Sequence, residues 1–177
     1  MVMKQTMRVL RSIAAGVVLT VLYTSCIKDD GNTVTPTTNN STNTASTSEE
    51  RLLKLVNDVR KAGCNCGSDY YPPVGTVSWN KQLEQAALDH SKYMSDKNTL
   101  SHTGANNTDP GQRITAAGYS WMTYGENVAS GYVDEEAVIK GWLNSPGHCK
   151  NIMNGKFVHI GVARSGDYWT QNFAAPK

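Results

Sequence analysis

Residues 31–47 hold almost nothing that a folded core could bury: the run is Thr, Asn, Ser and Gly, broken only by Val34, Pro36 and Ala45. Such a segment cannot offset its own ordering entropy, so it reads as part of a flexible tether over residues 27–47. About 20 residues of coil have an r.m.s. span of ~25 Å, enough to lift a small domain off a membrane surface. Any fold must therefore come from residues 48–177, a length that suits one ordinary domain.

The chain ahead of the tether has the three parts of a secretory signal, residues 1–26. Lys4, Arg8 and Arg11 supply positive charge, Ile13 to Tyr23 form a short apolar run, and Thr24 and Ser25 lead to Cys26. An apolar run of about 11 residues is too short to span a bilayer of ~30 Å. A Cys directly after small residues resembles a lipoprotein processing site, where the thiol is lipidated and anchors the protein to a membrane. Tyr23 stands where that motif usually has Leu, and an ordinary secreted protein with Cys26 still in the leader is the alternative. Asp29 and Asp30 resemble the surface-export signals of some Gram-negative lipoproteins, or are a solvated linker pair. The expected location is the cell envelope, membrane-anchored and extracytoplasmic, at the outer membrane or cell surface.

Charge excludes one class of partner. The chain has 17 Lys and Arg against 15 Asp and Glu, and the leader holds three of the basic residues and no acid, leaving 14 − 15 = −1 for the remainder. No basic patch remains to argue for nucleic acid. Beyond Cys26 there are three cysteines, Cys64, Cys66 and Cys149. Export permits disulfides, and an odd count allows one bond and leaves one thiol. Either Cys64 or Cys66 could pair with Cys149, closing a loop of roughly 80 residues valued at ~4 to 5 kcal/mol in the chain-entropy model.

Local patterns give the elements. Thr47 and Glu50 read as a capping box before a helix carrying Leu52, Leu55, Val56 and Val59, stopped by Gly63. Asn80 caps a second helix with the stripe Leu83, Ala86, Ala87, His90 and Met94. Asp109-Pro110 opens a short helix ending at Gly118, and Asp134 caps another, with Val138 and Trp142 on its inner face. His159 to Arg164 and Tyr168 to Ala174 flank Ser165-Gly166-Asp167 as a hairpin, and Asn127 to Ala129 suggests a third strand. There are no internal repeats. The pattern predicts an α+β domain with helices packed on a small antiparallel sheet.

Several motifs occur in a telling order. Val56-Asn57 and Arg60 are followed by Trp79-Asn80, then His90-Ser91, then Leu100-Ser101-His102-Thr103-Gly104. Gly125-Glu126-Asn127-Val128-Ala129 comes next, then Trp142 through Ser145-Pro146-Gly147-His148 into Asn151-Ile152-Met153. Ile160-Gly161-Val162-Ala163 and Trp169-Thr170-Gln171-Asn172-Phe173 close the series. Residues 48–177 thereby resemble the CAP/SCP family (cysteine-rich secretory, antigen 5, pathogenesis-related 1), in its bacterial branch. The resemblance implies a three-layer α-β-α sandwich. It also implies a cleft in which two His and one or two Glu gather, often around a divalent metal. Carried over by position, the set is His102, His148 and Glu126, with Asn127, Ser145 and Tyr124 as further cleft residues. Two imidazoles and a carboxylate make a legitimate set for Zn2+, with a fourth position for water. The second Glu of the family pattern is replaced here by Asn144 and Ser145, which should lower metal affinity.

Simpler roles compete for several residues. His90 lies on an apolar stripe and reads as a core histidine, and Asn57 and Arg60 read as ties from the first helix to nearby loops. Trp79, Trp142 and Trp169 read as core, whereas Trp121 and Tyr124 could line a groove. Cys149 follows His148, but neighbours on one segment usually point apart, so a disulfide is favoured over a reactive Cys-His pair. Three roles are expected from this inventory: a binding or interaction module for a lipid, glycan or protein ligand; a zinc-assisted hydrolase; or a structural lipoprotein. No His-Glu-x-x-His motif is present, and Ser91 and Ser101 lack a nucleophile signature.

Overall fold

The computed structural model describes residues 47–177. The leader, Cys26 and most of the tether lie outside these residues.

The first helix, α1 (Ser48–Ala62), starts at the expected capping box: the Thr47 side chain accepts from the Glu50 backbone N–H and the Glu50 carboxylate accepts from the Thr47 N–H. A small hairpin follows, β1 (Cys64–Cys66) and β2 (Asp69–Tyr71), then a two-residue strand β3 (Ser78–Trp79). Helix α2 (Lys81–Lys97) is capped by Asn80, whose side chain accepts from the Gln82 and Leu83 N–H groups. A 3-10 turn at Ala105–Asn107 leads to α3 (Pro110–Ala116), then β4 (Trp121–Ser130), α4 (Glu135–Asn144), α5 (Pro146–Ile152), β5 (His159–Ser165) and β6 (Tyr168–Pro176).

The main sheet has the order β3-β5-β6-β4. Its three long strands are antiparallel, as expected, and β3 adds a short parallel edge beside β5. Alternation along β6 distributes its side chains to two covers. Trp169 and Phe173 join the core built with Leu52 and Val56 of α1, Val138 and Trp142 of α4, and Ile152 of α5. Ala174 instead joins Leu83 and Ala86 of α2 and Ile114 of α3. Polar residues follow the same rule: Thr170 accepts from Ser91 on α2, and Asn172 donates to the Leu83 carbonyl. With helices on both faces, the domain is the three-layer α-β-α sandwich that the family resemblance implies.

Close backbone approach sets the layer spacing. A Cβ at Gly161 on β5 would lie 2.1 Å from the Glu84 nitrogen, so α2 rests directly on that glycine. Arg60 has no exposed surface, and each of its guanidinium nitrogens donates, to the carbonyls of Gly75, Ile152, Asn154 and Phe157. Asn57 exchanges both amide bonds with the Val77 backbone. Both residues tie α1 to loops, as the sequence reading expects.

Candidate functional site

The site forms along β4, the outer strand of the sheet, where loops from both helical layers meet. Gly125, Glu126 and Asn127 lie on this strand opposite Phe173, Asn172 and Gln171 of β6. Successive side chains therefore face opposite layers. Glu126 faces α3, where its Oε2 accepts from Arg113 Nη2 at 2.6 Å. Its Oε1 accepts from His102 Nδ1 at 2.8 Å. The carboxylate is 2% exposed, whereas the His102 ring is 55% exposed. A buried carboxylate thus holds a solvent-facing imidazole. Because Nδ1 carries the shared proton, Nε2 is the nitrogen left for a ligand.

Arg113 is the residue that sequence reasoning does not find. Besides Glu126 it donates to the carbonyls of His102 and Thr108 through Nη1, which fixes the loop carrying His102. Nothing local in the sequence joins Arg113 to Glu126, since the end of α3, a turn and the first half of β4 lie between them.

Asn127 looks the other way and is completely buried. Its amide donates to Gln171 and to the His148 carbonyl, and its oxygen accepts from Asn151. Asn127 therefore positions α5 and does not line a cleft, a correction to its expected role. Gly125 makes this docking possible, because a Cβ there would lie 3.2 Å from the Asn151 oxygen and 2.9 Å from Phe157. His148 sits in the first turn of α5, and burial together with the nearby His102 charge holds its pKa below the ordinary histidine value. It borders an open depression of about 240 Å³ with Ser145, Leu100, Val128 and Trp142. Tyr124 is elsewhere: it packs edge-to-face on Trp121, 4.6 Å between centroids, over a separate depression beside α3. Both aromatics lie on β4, which is longer than the sequence suggests.

The expected metal set is only partly gathered. His102 and Glu126 are in contact, and His148 is near enough to feel the His102 charge. Among the described residues, the single group of three or more His, Cys, Asp or Glu whose ligand atoms all lie within 4.8 Å is Cys64, Cys66 and Cys149. Glu126, with both oxygens engaged, stands behind His102 and is not placed to complete a three-ligand site. Cys66 and Cys149 form the disulfide and Cys64 is the remaining thiol, which resolves the pairing left open by the sequence. The bond also takes Cys149 out of any pairing with His148.

This architecture defines a class: an α-β-α sandwich with His148 bordering a depression along its edge strand. The family model for the cysteine-rich secretory protein family (CAP) matches residues 53–173, and the chain belongs to that family. The chain is 35% identical over 142 residues to the protein YkwD of Bacillus subtilis (strain 168), covering 78% of this chain and 51% of YkwD. An extracellular SCP-domain protein of Bacillus anthracis str. Ames has a crystal structure at TM-score 0.65 and 31% identity, covering 73% of this chain and 40% of that one. An outer surface protein of Borrelia burgdorferi shares the fold at TM-score 0.63 and 24% identity, covering 73% of this chain and 93% of its own. The chain thus spans about half or less of the two Bacillus proteins, and these structural neighbours are extracellular or outer-surface proteins. Among the described residues no helix is long and apolar enough to cross a membrane.

Proposed function

We propose that the protein is an extracytoplasmic binding module, tied to a membrane by a lipid on Cys26, whose His102–His148 cleft takes up a small ligand through its imidazoles. The observation that carries this reading is the His102–Glu126 pair. A buried carboxylate at 2.8 Å fixes both the orientation and the tautomer of an exposed ring, so little ordering remains to be done on binding. Zn2+ or another divalent cation suits this chemistry, with His102 and His148 as protein ligands, Glu126 supporting His102 from behind, and water completing the shell. The lost second carboxylate and the engaged oxygens of Glu126 favour weak, exchangeable binding. They also leave Glu126 unfit as the base of a hydrolase, which favours binding over turnover.

The depression of about 240 Å³ beside His148 limits what else can bind. It is smaller than the ~300 to 1,000 Å³ of sites that enclose drug-sized molecules. A side chain of a partner protein or the edge of a sugar fits that size. Calorimetric titration of Zn2+ into the purified protein, beside the His102→Ala/His148→Ala double variant, tests the reading. One-to-one binding lost in the double variant supports it. A folded wild type that binds no cation, or a variant that binds equally well, removes the imidazole cleft as the site.

A further inference from the structure

The cysteine cluster lies apart from this cleft. Strand β1 carries Cys64 and Cys66 two positions apart, so both side chains face the same way. That side meets α5 and Cys149. Cys66 is bonded to Cys149, and the Cys64 Sγ lies 3.6 Å from the Cys149 Sγ. All three sulfurs lie within 4.8 Å of one another. Cys149 therefore has two partners within reach, separated from it in sequence by 83 residues for Cys66 and 85 for Cys64. The loop-closure term is the same for either bond, because it varies only with the logarithm of loop length.

We propose that Cys64, Cys66 and Cys149 form an internal thiol–disulfide exchange site, in which the bond to Cys149 migrates between Cys66 and Cys64. In the step, the Cys64 thiol releases its proton to solvent and the thiolate attacks Cys149 Sγ. The Cys64–Cys149 bond forms, the Cys66–Cys149 bond breaks, and Cys66 leaves as a thiolate that takes a proton from solvent. No net oxidation or reduction occurs. The attacking sulfur must approach from behind the Cys66 bond, so the Cys64 side chain rotates for the step. Local structure permits this: β1 lies outside the four-stranded sheet, between Gly63 at φ 74° and Gly67 at φ 69°.

The two states differ in what they present to solvent. With Cys66 bonded, the free thiol is Cys64, which is half-buried, whereas Cys66 is 1% exposed. Exchange thus withdraws the reactive thiol into the core. The ligands that read this state are low-molecular-weight thiols and disulfides, which can react with Cys64 and cannot reach Cys66. Burial pushes the Cys64 thiol up, so the thiolate is scarce near neutrality and the step is slow there.

The test maps the free thiol in the full oxidised protein. After incubation at mildly alkaline pH with a trace of glutathione, the sample is acid-quenched, alkylated under denaturing conditions and fragmented by mass spectrometry to assign the label. The proposal expects label on both Cys64 and Cys66, within about tenfold of each other, since loop closure does not separate the two bonds. Label confined to Cys64 at every incubation time overturns it. The Cys66→Ser variant adds a second reading: a Cys64–Cys149 bond with both of these thiols protected from alkylation is expected. Free Cys64 and Cys149 thiols in a folded Cys66→Ser protein count against the proposal.

Discussion

The Glu126 side chain is 2% exposed, and Arg113 and His102 supply donors to both of its oxygens. A buried ion pair with one partner removed leaves an uncompensated charge, at a cost of about 3 to 5 kcal/mol. Glu126→Ala should therefore lower the stability by roughly that amount, measured by urea unfolding, because Arg113 is only 11% exposed. His102→Ala removes a mostly exposed ring but leaves Glu126 Oε1 without its donor, so it should cost about 1 to 3 kcal/mol, less than Glu126→Ala. Equal losses in the two variants would contradict the division between a buried support and an exposed ligand. Sequence motifs point to His102, His148 and Glu126 as a group but not to their roles. The role of Glu126 depends on Arg113, and only the packing of α3 against β4 brings the two together.

The element that holds the His102 loop from below is α2, through His90. This ring is completely buried; its Nε2 bonds the Ser101 carbonyl at 2.7 Å, and its Nδ1 has no partner. Burial, the largest influence, lowers the His90 pKa from the ordinary value of 6.5, and the Glu126 charge opposes it. A folded-state pKa below the unfolded one means that the unfolded chain binds the extra proton first. The stability contributed by neutral His90 is thus complete above about pH 6.5 and declines as pH falls below it. Thermal unfolding from neutral to acid pH should show this decline, and His90→Phe should flatten it. An unchanged slope in the variant would assign the acid sensitivity to other groups, His148 first.

Among the elements, helices with strong caps and apolar stripes are readable in advance, as α1, α2 and α4 demonstrate. Helix α5 is not, because Pro146 and Gly147 look like breakers. Pro146 occupies the first helical turn, where its missing N–H does no harm. The β1–β2 hairpin is hidden in a Gly- and Cys-rich stretch, although its two-residue Gly67-Ser68 turn is a recognisable signal. Strand β4 extends well beyond Asn127 to Ala129 because pairing with β6, not local alternation, sets its length.

For the whole molecule, the residue order of the motifs makes family and layer architecture legible, because those motifs are the contacts between layers. Asn127, Asn151 and Gln171 join β4, α5 and β6, and Gly161 seats α2. The proposed lipid anchor on Cys26 is a separate matter from this domain. If Cys26 is lipidated, the Cys26→Ala protein should move from the membrane to the soluble fraction and lose labelling by a fatty-acid analogue. Membrane retention of an unlabelled Cys26→Ala protein would require another means of attachment.

Glu126 holds His102 with Nε2 free, and two-bond nitrogen–proton NMR of the imidazoles tests this most directly. At a pH where the ring is neutral, His102 should appear as the Nδ1–H tautomer, and added Zn2+ should shift its Nε2 resonance and that of His148. His102 in the Nε2–H tautomer, with no response to Zn2+, would contradict both the geometry and the binding role drawn from it.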